Sequence, residues 1–124
     1  MPAQKHILVI DDESKICILI KEILEECGYK VDCFLNGYDG IEFLLSHSVD
    51  LLILDLYMPG IDGIEVLNRL KNIDIKIPTM VLTAWNLDAE TKADIDKDVL
   101  FIIDKPVELK QLVEYVDEAF IMLN

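Results

Sequence analysis

Basic residues are scarce in this sequence. It holds 11 lysines and arginines against 24 aspartates and glutamates, a formal net charge of -13, and the basic residues are scattered rather than grouped. Neutralising a nucleic-acid backbone takes clustered Lys and Arg, so this composition argues against direct nucleic-acid binding. A basic partner or a bound cation suits the acidity better. Cysteines number 3, at positions 17, 27 and 33, and lack the close paired spacing of zinc or redox motifs, which leaves them as reduced thiols serving as small hydrophobes. No apolar run approaches the roughly 18 residues of a membrane span, and the first six residues lack the apolar core of a secretion signal, so a cytoplasmic protein is expected. There is no Gly-rich phosphate loop, repeat, linker or low-complexity stretch.

What is present is a regular alternation. The 124 residues suit one domain, with no room for a separate output domain, so a single unit over 1–124 is expected. Short apolar runs, HILVI, KVDCF, LLILD, TMVLT and VLFII, read as five strands. Between them run helical stripes: Ile16, Ile20, Ile23, Leu24 and Cys27 closed by Gly28; Ile41, Leu44 and Leu45 after an Asn36-Gly37 turn; Ile64, Leu67 and Leu70 after Asp62-Gly63; a weak acidic stretch from Leu87 to Asp98; and Leu109, Leu112, Val113, Val116 and Phe120. Continuous apolar strands joined by helices predict an α/β fold with a parallel sheet covered on both faces.

In such sheets ligands bind beyond the carboxyl ends of the strands. Those ends carry Asp11-Asp12, Asp55, Thr83-Ala84 and Asp104-Lys105-Pro106. Each alone has a bland explanation, such as acids preceding a helix or a turn residue leaving a strand. Together they set three carboxylates near one another, and two like charges about 4 Å apart repel by roughly 4 kcal/mol at an effective dielectric near 20. A hard divalent cation such as magnesium, with manganese as the alternative, offsets that repulsion and accepts oxygen ligands. Lys105 adds a point charge suited to phosphate, Thr83 adds a hydroxyl, and Asp55 becomes a candidate nucleophile toward phosphorus.

The fragments VIDDE, LILDLYMPGIDG, VLTA and DKP, in this order and spacing, resemble the receiver domain of two-component response regulators along essentially the whole chain. The resemblance implies a (βα)5 doubly wound, flavodoxin-like three-layer sandwich with strand order 2-1-3-4-5. It implies a signalling switch rather than a turnover enzyme, phosphorylated at Asp55 by a sensor histidine kinase or a phosphotransfer protein and read by a downstream effector. It also implies a metal site of Asp12, Asp55 and the Tyr57 carbonyl with Asp11 acting through water, phosphate contacts from Thr83 and Lys105, room for the phosphate at Ala84, and a cis Lys105-Pro106 peptide. A homodimer through the last helix is compatible with it.

Departures from the family pattern fall away from the acids. Ile102 stands where a switching aromatic is usual, with Phe101 on the opposite strand face; Lys97-Asp98-Val99 replaces a Gly-Ala pair, and Val107 replaces a Phe. Chemistry is therefore expected to be retained and signalling geometry altered. Tyr57 and Trp85 flank the site, either as a shield against water or as a partner surface. Two other functions compete: a metal-dependent phosphohydrolase turning over at Asp55, and a degenerate receiver that docks constitutively.

Overall fold

In the computed structural model, which describes residues 4–84 and 87–123, five strands alternate with five helices. They are β1 (His6–Ile10), α1 (Ser14–Glu26), β2 (Lys30–Phe34), α2 (Gly37–Ser46), β3 (Leu51–Asp55), α3 (Gly63–Asn72), β4 (Thr79–Thr83), α4 (Ala89–Asp96), β5 (Phe101–Asp104) and α5 (Leu109–Leu123). The strands form one parallel sheet in the order β2-β1-β3-β4-β5. Trp85 and Asn86 lie outside the described residues, and with them the expectation that Trp85 flanks the site.

Period-two alternation divides the central strands between two cores. Ile7, Val9, Leu51, Ile53, Met80, Leu82 and Ile103 face α1 and α5, where Ile20, Leu24, Leu112 and Val116 cover them. Leu8, Ile10, Leu52 and Leu54 face α2 and α3, against Leu44, Val66 and Leu70. A smaller group of Leu56, Val81 and Ile95 anchors α4, in which Ile95 is the one buried residue.

α2, α3 and α4 begin where short polar side chains cap them. Asn36 accepts from the Asp39 amide at 2.9 Å, Asp62 from the Glu65 amide at 2.9 Å and Asp88 from the Thr91 amide at 2.7 Å. Asn36-Gly37 is thus a cap and the first helical residue rather than a turn. Gly28, at φ +95°, ends α1 in the left-handed conformation that glycine adopts freely.

Some expected boundaries and faces shift. β5 starts at Phe101, so Val99 and Leu100 precede it, although the Leu100 amide already bonds the Thr79 carbonyl at 2.8 Å. α4 is shorter than the Leu87 to Asp98 stretch. Cys27 is the exposed C-cap of α1 and Leu45 is 64% exposed on the outer side of α2, so neither belongs to the core. Cys17, Val66 and Ala119 are buried instead.

Candidate functional site

The register of the sheet brings the charged tips together. Ile7 pairs with Leu51 and Ile10 with Leu54, so Asp11, just past β1, and Asp55, the last residue of β3, lie at the same level. Asp55 is in turn paired with Leu82, and Leu82 with Ile103, two residues before Lys105. Asp11 continues the face of Ile7 and Val9, Asp55 that of Leu51 and Ile53, and Lys105 that of Phe101 and Ile103. Three strand tips from one sheet face thereby meet at a single edge.

Asp11 is fully buried. Its Oδ1 accepts from the Glu13 amide at 2.9 Å, and its Oδ2 accepts from Lys105 Nζ at 2.9 Å. Asp55 is 2% exposed; its Oδ1 accepts from the Tyr57 amide at 3.1 Å and its Oδ2 lies 3.3 Å from Lys105 Nζ. Asp12 is half-buried, and one carboxylate oxygen from each of Asp11, Asp12 and Asp55 falls within 4.8 Å of the others. Thr83 is buried at the tip of β4, its carbonyl accepting from the Lys105 amide at 2.8 Å, and Ala84 beside it is exposed. The Lys105-Pro106 peptide is cis. Tyr57 is 48% exposed.

Glu13, which lies outside the expected set of site residues, also reaches the lysine at 3.6 Å. The VIDDE run already held that signal, an acid immediately after the pair. An apolar groove of about 340 Å³ opens beside Lys105, between Ile16, Leu19 and Ile20 of α1 and Val107 and Leu109 past β5.

Burial pushes the Asp55 carboxyl up to about 6; the Tyr57 amide opposes this, Asp11 adds to it, and Lys105 opposes it again. For Lys105 burial works downward, but the hydrogen bond and charge of Asp11, followed by Asp55, override it and leave the ammonium more firmly protonated than usual. A single lysine thus serves two buried carboxylates while a third stands close by. An all-oxygen donor set with excess negative charge fits a hard divalent cation, for which Asp11, Asp12 and Asp55 are the ligating candidates among the described residues.

Gly63, the first residue of α3, packs directly against the strand carrying Asp55. A Cβ there would lie 2.6 Å from the Asp55 carbonyl oxygen and 2.7 Å from Leu56 Cα. Backbone on both sides cannot yield cheaply, so Gly63→Ala is expected to destabilise the fold by about 2 kcal/mol in denaturant titrations. A cost near zero would mean that α3 is free to move away from β3.

Residues 7–117 match the response regulator receiver domain family. The chain belongs to that family. Among curated relatives, it is 32% identical over 114 residues to the transcriptional regulatory protein YkoG of Bacillus subtilis, covering 92% of this chain and 50% of that protein. It is 38% identical over 81 residues to sporulation initiation phosphotransferase F of Bacillus subtilis, 65% of each chain. The receiver domain therefore spans about half the length of several curated relatives. Among solved structures, the response regulator TrrA of Thermotoga maritima, in complex with Mg²⁺-BeF, shares 33% identity at a TM-score of 0.79, covering 94% of this chain and 99% of that one. A two-component response regulator from Clostridium difficile shares 26% at 0.88, covering 98% and 99%. The order 2-1-3-4-5 that the family resemblance implied is the order observed. Among the described residues, no helix is long and apolar enough to cross a membrane.

Proposed function

We propose that this receiver domain is a phosphorylation-controlled switch in which Asp55 accepts a phosphoryl group from a phosphohistidine on a sensor histidine kinase or phosphotransfer protein. The observation that carries the reading is the buried Asp11–Lys105–Asp55 arrangement with Asp12 beside it: charge that a simple strand-to-helix turn has no reason to bury. Asp12, Asp55 and the Tyr57 carbonyl would hold Mg²⁺, or Mn²⁺ in its place, with Asp11 acting through water. Bound there, the ion supplies charge neutralisation for the transferring phosphoryl oxygens.

The chain's own residues do the rest. Asp55 attacks phosphorus through a carboxylate oxygen; the new O–P bond forms as the N–P bond to imidazole breaks, and the histidine departs with its electron pair. Lys105 and Thr83 bind the transferred oxygens, and the methyl side chain of Ala84 leaves them space. The groove beside Lys105 offers a protein-sized donor an apolar seat next to the acceptor. Slow loss of the phosphate to water returns the domain to its resting state.

Phosphate contacts at Thr83 and Lys105 bear on β4 and β5, and so on α4, whose hold on the sheet is light. The altered surface at α4, β5 and α5 is then what a downstream effector reads. Ile102 packs half-buried in the α4 cluster, whereas Phe101 turns to the α5 side, its ring 5.1 Å from that of Tyr115. The switch proposed here therefore works through an aliphatic residue in place of a rotating aromatic ring.

Incubation with a small acyl phosphate and Mg²⁺, followed by intact-mass measurement and phosphate release, tests the reading. One base-labile phosphoryl group per chain is expected. Many turnovers of inorganic phosphate would identify a hydrolase, and an unmodified chain would identify a constitutive docking domain.

A further inference from the structure

The sequence has no paired-cysteine motif, yet the fold brings two of its three thiols together. Cys17 is 3% exposed on the inner face of α1, and Cys33 is half-buried on β2, paired with Val9 of β1. Cys33 Sγ donates to the Cys17 carbonyl at 3.3 Å, and Cys17 Sγ donates to the Asp11 carbonyl at 3.3 Å. The neighbouring Cys17 side chain holds the Cys33 thiol below its ordinary range, against the opposing effect of burial, with the Lys21 charge assisting and Asp32 and Glu25 opposing, while Cys33 and burial push the Cys17 thiol well up. A partly exposed sulfur bonded to the backbone of a second, sheltered cysteine is the arrangement of an attacking and a resolving cysteine. Cys27, exposed at the end of α1, stands apart from this pair.

We propose that Cys17 and Cys33 form a reversible redox pair, which a peroxide converts into an intramolecular disulfide tying α1 to β2. The Cys33 thiolate attacks one peroxide oxygen and breaks the O–O bond; the sulfur is oxidised by two electrons to a sulfenic acid, and the other oxygen leaves as hydroxide. The Cys17 sulfur then attacks the sulfenic sulfur, the S–S bond forms, and the sulfenic hydroxyl departs with the Cys17 proton as water. A small-molecule dithiol restores both thiols by exchange and ends as its own disulfide. Oxidation also removes the thiol proton that bonds the Asp11 carbonyl, so the thiol state is felt at the turn between β1 and α1.

A Cys27→Ser chain keeps both partners and removes the exposed thiol. It is treated with hydrogen peroxide, denatured, alkylated and weighed. The expected result is loss of two hydrogens from the intact mass, complete protection of both thiols from alkylation, one cross-linked peptide pair containing residues 17 and 33, and full reversal by dithiothreitol. Adding Cys33→Ser should leave Cys17 open to alkylation, whereas adding Cys17→Ser should leave Cys33 to collect oxygen atoms. The Cys27→Ser result stands even if a further variant folds poorly, because both partners in it are native. Oxygen addition at Cys33 with Cys17 still alkylated, or both thiols alkylated under peroxide that fully oxidises a free-thiol peptide, would overturn the proposal.

Discussion

Asp55→Asn is expected to raise the thermal midpoint of the metal-free protein at pH 7.5 by about 5–10 °C, the equivalent of about 2 kcal/mol for a domain of this size. The wild-type carboxyl titrates near 3.8 when exposed and at about 6 in the fold, because burial penalises its charge. The folded state therefore binds that proton more tightly than the unfolded chain does. Below pH 3.8 both states are protonated and nothing is lost. As pH rises toward 6 the unfolded chain ionises first and stability falls, by a total of about 3 kcal/mol once both states are charged. Asparagine does not titrate, so the fall between pH 4 and 6 should flatten in the variant; the lost charge-assisted contact to Lys105 takes back part of the gain. Adding Mg²⁺ should close the gap by stabilising the wild type more than the variant. Thermal melts across pH with a chelator and then with Mg²⁺ measure all of this. A variant no more stable than wild type at pH 7.5 would mean that Asp55 bears no burial penalty.

Lys105→Met acts in the opposite direction. The ammonium is 2.9 Å from Asp11, 3.3 Å from Asp55 and 3.6 Å from Glu13, and the first two of these carboxylates are almost completely buried. Removing one member of a buried ion network strands the charges that remain, so a loss of about 3 kcal/mol is expected in metal-free buffer at pH 7.5. The loss should shrink toward pH 5, where Asp55 takes up its proton, and shrink again with Mg²⁺ at neutral pH. Asp11→Asn added to Lys105→Met should recover part of the stability, because one stranded charge is gone. Urea titrations of the single and double variants read the difference. Equal costs at pH 5 and pH 7.5 would show that the methylene stem of Lys105, and not its charge, holds the site.

The legibility of the sequence followed burial. β1, β3 and β4 occupy the very residues of HILVI, LLILD and TMVLT, because central strands must be apolar along their length, and the edge strand β2 also coincides with KVDCF although its Lys30 is exposed. At the far edge that pressure relaxes, and β5 begins two residues later than its apolar run suggests. Leu45 and Cys27 fit a helical stripe by spacing, but the true inner faces use Leu44 with the close-packed Gly37 and Gly40, and Cys17 with Ile20 and Leu24. Hydrophobicity alone does not distinguish a leucine on one side of a helix from its neighbour. The acids, Thr83 and Lys105 were legible as strand tips; that Lys105 bonds Asp11 more closely than Asp55 depends on register and side-chain reach, which no motif encodes. The meeting of Cys17 with Cys33 was hidden for the same reason, since it rests on how α1 lies across the sheet.

In the proposed switch, buried acids at the strand tips make Asp55, and no other group, the phosphoryl acceptor. Borohydride reduction tests it most directly, because it cleaves an acyl phosphate and leaves homoserine in place of the aspartate. After treatment with an acyl phosphate and Mg²⁺, peptide mass spectrometry should find homoserine at position 55 alone, and none when the metal is withheld. Phosphate on His6, on His47 or on a hydroxyl, or homoserine at another aspartate while Asp55 remains intact, would contradict it.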